Sequence, residues 1–131
     1  MDLVLIDTSV WIDFLNKAEN HQTALLENSI MHDDICVCYP IIQEVLLGMR
    51  TEMGFLKARK YFLGLKILNA NPTLVAVQSA ELYRSLRLKG VTVRKSSDCI
   101  IAWFAIRFGA KLLQRDRDFG QIAKHTKLAL L

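Results

Sequence analysis

At 131 residues the chain has room for one domain with one hydrophobic core, and residues 1–131 read as a single unit. A composition that is 52% hydrophobic and 23% charged excludes a disordered chain, and no apolar run approaches the roughly 20 residues of a membrane-spanning helix. The formal net charge is +4, and the opening Met1 to Asp7 lacks the basic start of a secretory signal, so the expected location is the cytoplasm, with no membrane association.

Leu3-Val4-Leu5-Ile6 is a continuous run of branched apolar residues, the pattern of a strand buried on both faces. Asp7, Thr8 and Ser9 follow, each able to cap the helix that Val10 to Leu15 continue. A second helix is expected over His21 to Ser29, and Ile35 to Cys38 is the second strand. Pro40 suits the first turn of the next helix, which carries Ile41, Ile42, Val45, Leu46 and Leu47 and stops at Gly48. A helix over Phe55 to Leu63 and a short strand over Lys66 to Leu68 come next. Pro72 opens a long helix to Leu88, closed by Gly90. Ser96 or Ser97 is expected to cap a helix over Cys99 to Phe108 that Gly109 closes. Lys111 to Gln114 is a strand, Phe119 to Lys124 a short helix, and Leu128 to Leu130 a last edge strand. This alternation predicts an α/β fold with a parallel sheet and helices on both faces.

Cys36, Cys38 and Cys99 lie in apolar runs without CxxC spacing, so they are expected as buried thiols and not as a disulfide or zinc site. His21, His32 and His125 fall in polar stretches without ligand spacing, and read as solvated. Trp11, Trp103 and Phe104 recur with aliphatics at helical spacing and belong to the core. The basic residues are unevenly spread. Arg84, Arg87, Lys89, Arg94 and Lys95 fall within twelve positions, and Arg115 and Arg117 flank Asp116. A basic stripe next to carboxylates suits a polyanionic substrate.

Parallel sheets place their chemistry at the carboxyl ends of the strands. Asp7 follows the first strand, Glu44 lies one turn into the helix after the second, and Asp116 follows the strand 111–114. Asp98 stands in the first turn of a helix feeding that strand. On a simple strand–helix–strand reading this helix would start at the far edge, unless the long basic loop 90–97 carries the chain up to the others. Each acid also suits a structural role as a cap. Together they suggest a cation, since gathered carboxylates repel and are costly to desolvate. An oxygen-only site without His or Cys selects Mg2+, with Mn2+ as a substitute, bound as one ion or two. Asp116 is the preferred ligand over Asp118, which is free to cap the helix beginning at Phe119 or to approach the metal through water. Thr8 and Ser9 are caps that can also orient the site, and Arg94, Lys95 and Arg115 are candidates for phosphate contact.

Four segments, in this order, carry a family resemblance: Leu5 to Trp11, Ile42 to Gly48, Ser97 to Ala102, and Leu112 to Phe119. They resemble the opening strand with its aspartate and hydroxyl pair, the glutamate helix, the central aspartate motif and the closing segment of PIN domains. The likeness is strongest to the VapC-type toxin ribonucleases of toxin–antitoxin pairs. It implies a three-layer α/β/α fold, magnesium-dependent cleavage of RNA, a cognate VapB-type antitoxin and a homodimer. It carries Asp7, Glu44, Asp98 and Asp116 over as the metal-site acids, and brings Asp98 to the shared site. Gln114 departs from the small hydroxyl residue common there, though its carboxamide can still hydrogen-bond. Two alternatives remain. A haloacid-dehalogenase-like phosphatase needs an acid two positions after its aspartate and a hydroxyl four after, where this chain has Ser9 and Trp11. A non-catalytic RNA-binding domain would have no need of a complete acidic set.

Overall fold

A computed structural model describes residues 2–131. Its elements run β1 (Leu3–Ile6), α1 (Thr8–Leu15), α2 (His21–His32), β2 (Asp34–Val37), α3 (Tyr39–Leu47), α4 (Glu52–Leu63), β3 (Lys66–Ile67), α5 (Pro72–Leu88), α6 (Ser96–Phe108), β4 (Lys111–Leu113), α7 (Arg117–His125) and β5 (Ala129–Leu130). The five strands are ordered β3-β2-β1-β4-β5, and every pairing is parallel. β1 is central, and Val4, Leu5 and Ile6 are wholly buried, as an unbroken apolar run in a doubly covered strand requires. The chain first moves outward from β1 to β3, then returns to β4 and on to β5. Right-handed crossovers then place α1 to α4 on one face and α5 to α7 on the other, giving three layers.

That reversal of direction positions the site. The order switches between β1 and its neighbour β4, and a crevice opens beyond their carboxyl ends. Ile6 pairs with Leu113, and the Asp7 amide donates to the Leu113 carbonyl at 2.9 Å, so the chain leaving both strands starts from one place. Asp98 reaches the same edge, as the family resemblance implies, and the objection that its helix would start opposite does not hold. A helix feeding a parallel strand runs antiparallel to it. α6 therefore ends where β4 begins and starts beside the point where β4 ends.

Several helix starts differ from expectation for one reason: the capping residue lies earlier. α6 begins at Ser96 behind an N-cap of Lys95 with no side-chain cap bond, so neither serine caps it. α4 begins at Glu52, where the Thr51 hydroxyl accepts from the Gly54 amide at 3.0 Å. α7 begins at Arg117, capped by Asp116 and not by Asp118. α2 runs on to His32, and its start is closed by a reciprocal pair between Asn20 and Thr23. Gly109 ends α6 in the left-handed conformation, φ 67°, that its position predicts.

Trp11, Trp103 and Phe104 are in the core, the three cysteines are buried and free, and the three histidines are exposed, as their neighbourhoods predict. Burial pushes the thiols well up, Cys36 to about 12 and Cys99 to about 11, so they stay protonated. Among the described residues no helix is long and apolar enough to cross a membrane.

Candidate active site

One cavity at the β1–β4 crevice is lined by Asp7, Thr8, Ser9, Ile12, Glu44, Lys95, Asp98, Arg115, Asp116 and Arg117. The four acids singled out in the sequence meet there, each delivered by a different connection. Asp7 occupies the N-cap position of α1, yet its carboxylate makes no cap bond. It accepts instead from the Ser9 hydroxyl at 3.4 Å. Only 7% of Asp7 is exposed, and burial pushes its pKa up to about 6. The Thr8 backbone amide and the Ser9 hydroxyl oppose that rise, while the charges of Glu44 and Asp116 add to it.

Glu44 sits in α3 with its Oε1 held by the Thr8 hydroxyl, which donates at 3.0 Å. Adjacent hydroxyls at the start of α1 thus serve two different acids, and neither caps the helix. Asp98, the third residue of α6, is 6% exposed. Burial first, then the charges of Asp7 and Asp116, push its pKa up to about 7, with Lys95 opposing. Asp116 accepts from the Asp118 amide at 2.9 Å through Oδ1.

Asp118 also comes in. One carboxylate oxygen from each of Asp98, Asp116 and Asp118 can lie within 4.8 Å of the others. Two overlapping groups therefore share Asp98 and Asp116: the cavity set with Asp7 and Glu44, and this cluster with Asp118. Every acidic donor is a carboxylate, and among the described residues no His or Cys lines the cavity. Such a set fits a hard divalent ion: burial raises the pKa values of Asp7 and Asp98, the neighbouring carboxylates add to the rise, and a cation would offset both costs.

The basic residues divide. Lys95, Arg115 and Arg117 face the cavity. Arg94 does not line it. Its Nε bonds Asp118 Oδ2 at 3.0 Å and its Nη2 bonds Asp116 Oδ1 at 3.2 Å, which neutralises part of the acidic cluster. Arg115 is held by Asp13 of α1, which also accepts from Asn20 Nδ2 at 3.0 Å. Asp13 was not legible as part of the site, because a single acid on a short amphipathic helix carries no signal of its distant partner. The Gln114 carboxamide oxygen is buried with no hydrogen-bond partner among the described residues. Trp11, which stands where a dehalogenase-type phosphatase needs a hydroxyl, is wholly buried against Phe14, Tyr61 and Phe62.

A parallel α/β/α sandwich with acids gathered at its switch point defines a class, and the PIN domain family profile matches residues 4–125: the chain belongs to the PIN domain family. Within the family it is similar to Ribonuclease VapC11 of Mycobacterium tuberculosis, 34% identical over 129 residues that cover 96% of each chain. VapC ribonuclease Mb1587 of Mycobacterium bovis matches to the same extent. Among solved structures, VapBC2 from Rickettsia felis bound to a DNA fragment from their promoter has a TM-score of 0.77 at 21% identity, covering 98% of this chain and 97% of that one. VapBC-1 from nontypeable Haemophilus influenzae gives 0.74 at 17% identity over 98% and 96%. These two share the fold.

Proposed function

We propose that this single-domain protein is a magnesium-dependent endoribonuclease, the toxin of a toxin–antitoxin pair. It acts in the cytoplasm as a homodimer and is restrained by a VapB-type antitoxin. The observation that carries the reading is the meeting of Asp7, Glu44, Asp98 and Asp116 in one cavity with Lys95 and Arg115 on its wall. The relatives named as VapC ribonucleases support RNA as the substrate, and the neighbours solved as VapBC complexes support an antitoxin.

Asp7, Asp98 and Asp116 would hold Mg2+, or Mn2+ in its place, with Glu44 and Asp118 contributing directly or through water. The ion supplies Lewis-acid activation of water and neutralises charge on the phosphate. The chain's own residues do the rest. Thr8 fixes the rotamer of Glu44, and Ser9 does the same for Asp7. Lys95 and Arg115 draw the phosphate toward the acids, and Asp13 keeps the Arg115 guanidinium from folding into the acidic cluster. Arg94, at the same edge, is a third group for the RNA backbone.

Purified protein incubated with RNA and Mg2+ tests this reading. The expected products carry a 5′-phosphate and a 3′-hydroxyl and disappear with EDTA. A 2′,3′-cyclic phosphate would require the ribose hydroxyl as nucleophile and would overturn it. Release of phosphate from small esters with RNA left intact would overturn it too.

A further inference from the structure

The net charge of +4 conceals a sharp partition. Residues 84–95 and 119–131 carry seven Lys and Arg and no Asp or Glu, leaving ten basic against thirteen acidic residues for the remainder of the chain. The whole positive excess therefore resides on two segments, and the fold brings them together. The Lys89 ammonium, just past α5, donates to the His125 carbonyl at the end of α7 at 3.5 Å. Arg87, Lys89, Lys124 and Lys127 are all exposed.

This face is continuous with the cavity. Arg117 lines the cavity at the start of α7. Lys124, seven residues on, returns to the same side of the helix, about 10 Å further along. From there the Lys89–His125 contact leads to the end of α5, and Lys127 follows directly. The one carboxylate on α7, Asp118, is already paired with Arg94. Lys89, Lys124 and Lys127 form no ion pair among the described residues. Clustered like charges without partners repel one another and gain nothing for the fold. They are matched by a polyanion laid across them.

We infer that this ridge, from Arg117 along α7 to Lys124, Lys127 and Lys89, is a docking track for the RNA strand outside the cleavage site. It holds phosphates of nucleotides that are not cut. The inference rests on the ribonuclease reading for the identity of the polyanion and deepens it: a substrate long enough to cover the ridge binds far better than one that only fills the cavity.

The test is the variant Lys89→Glu/Lys124→Glu/Lys127→Glu, with Lys57→Glu/Arg59→Glu/Lys60→Glu at exposed positions of α4 as a control of equal net charge. Binding of a labelled single-stranded RNA long enough to span the face is measured by fluorescence anisotropy in EDTA, so no cleavage is needed. The triple variant should bind at least about tenfold more weakly at low salt. Its slope of log K against log [salt] should be shallower by about 2, near 0.7 for each phosphate that is no longer neutralised. The control should change affinity far less than the triple variant does. Cleavage of a labelled trinucleotide in Mg2+ should stay at the wild-type rate in the triple variant. The milder Lys→Gln triple should show an intermediate weakening, which separates the effect of charge from that of a damaged fold. Wild-type affinity and slope in the triple variant would overturn the track, as would equal weakening in the control or a wild-type protein that binds no RNA. If wild type binds RNA through these lysines but never cuts it, the track stands and the nuclease reading falls.

Discussion

Asp98→Asn removes one of two buried carboxylates that repel each other, and it should stabilise the protein in the absence of metal. The folded pKa of about 7 lies above the ordinary 3.8, so the folded state holds the proton more tightly than the unfolded state does. Stability from this group is then full below about pH 4 and is lost as pH rises through about 7. The difference between the two values is worth about 4 kcal/mol when the group is fully ionised. Its largest part is the cost of burying the charge, and the part due to Asp7, itself raised to about 6, is shared between the two groups, so the two contributions do not add. About half, roughly 2 kcal/mol, is the gain expected for Asn at pH 8. For a chain of this length it corresponds to a rise in Tm of roughly 7 °C. Thermal unfolding by circular dichroism, in EDTA at pH 8 and at pH 4, reads it directly. The gain should be present at pH 8 and absent at pH 4. Excess Mg2+ should stabilise the wild type and leave the variant nearly unmoved. An Asn variant no more stable than wild type at pH 8, or shifted equally at both pH values, would refute the claim that the ionised Asp98 carboxylate, buried among other acids, costs the fold stability.

Asp7→Asn should lower RNA cleavage at least about a hundredfold while the circular dichroism spectrum is retained, because a carboxylate of the cluster is removed without a change of volume; near-normal rates would count against the site. Arg94→Ala should alter stability by less than about 1 kcal/mol, since its side chain is 63% exposed, yet tighten Mn2+ binding a few-fold in calorimetry by freeing Asp116 and Asp118. Trp11→Ala should cost about 3–5 kcal/mol in urea unfolding, as it empties a wholly buried site among three aromatic rings.

Most of the fold was legible because its signals are local. The unbroken apolar run Leu3 to Ile6 marks a central strand, and Gly109 after Phe108 marks a helix end, whatever the rest of the chain does. Helix starts were less legible. A Ser or Thr before an apolar run looks like a cap, but Ser96 and Ser97 lie inside α6, and Thr8 spends its hydroxyl on Glu44, 36 residues away. Such bonds compete with capping and leave no trace in spacing. The four acids were legible by position relative to strands, since a parallel sheet sends every strand end to one edge. For Asp98 the strand rule alone is not enough, because its place depends on which way its helix runs, and the loop 90–95 before it fixes that only in the fold. The partners of the basic residues were not legible: nothing in the sequence ties Arg115 to Asp13, or Arg94 to Asp118, because those pairings are made by the tertiary fold.

The claim that these carboxylates together form one cation site is tested most directly by anomalous diffraction from crystals of the protein soaked in Mn2+. A strong peak is expected in the β1–β4 cavity, within coordination distance of oxygens from Asp98 and Asp116 and at least one of their acidic neighbours. A peak on some other face of the molecule, or none here at saturating Mn2+, would contradict it.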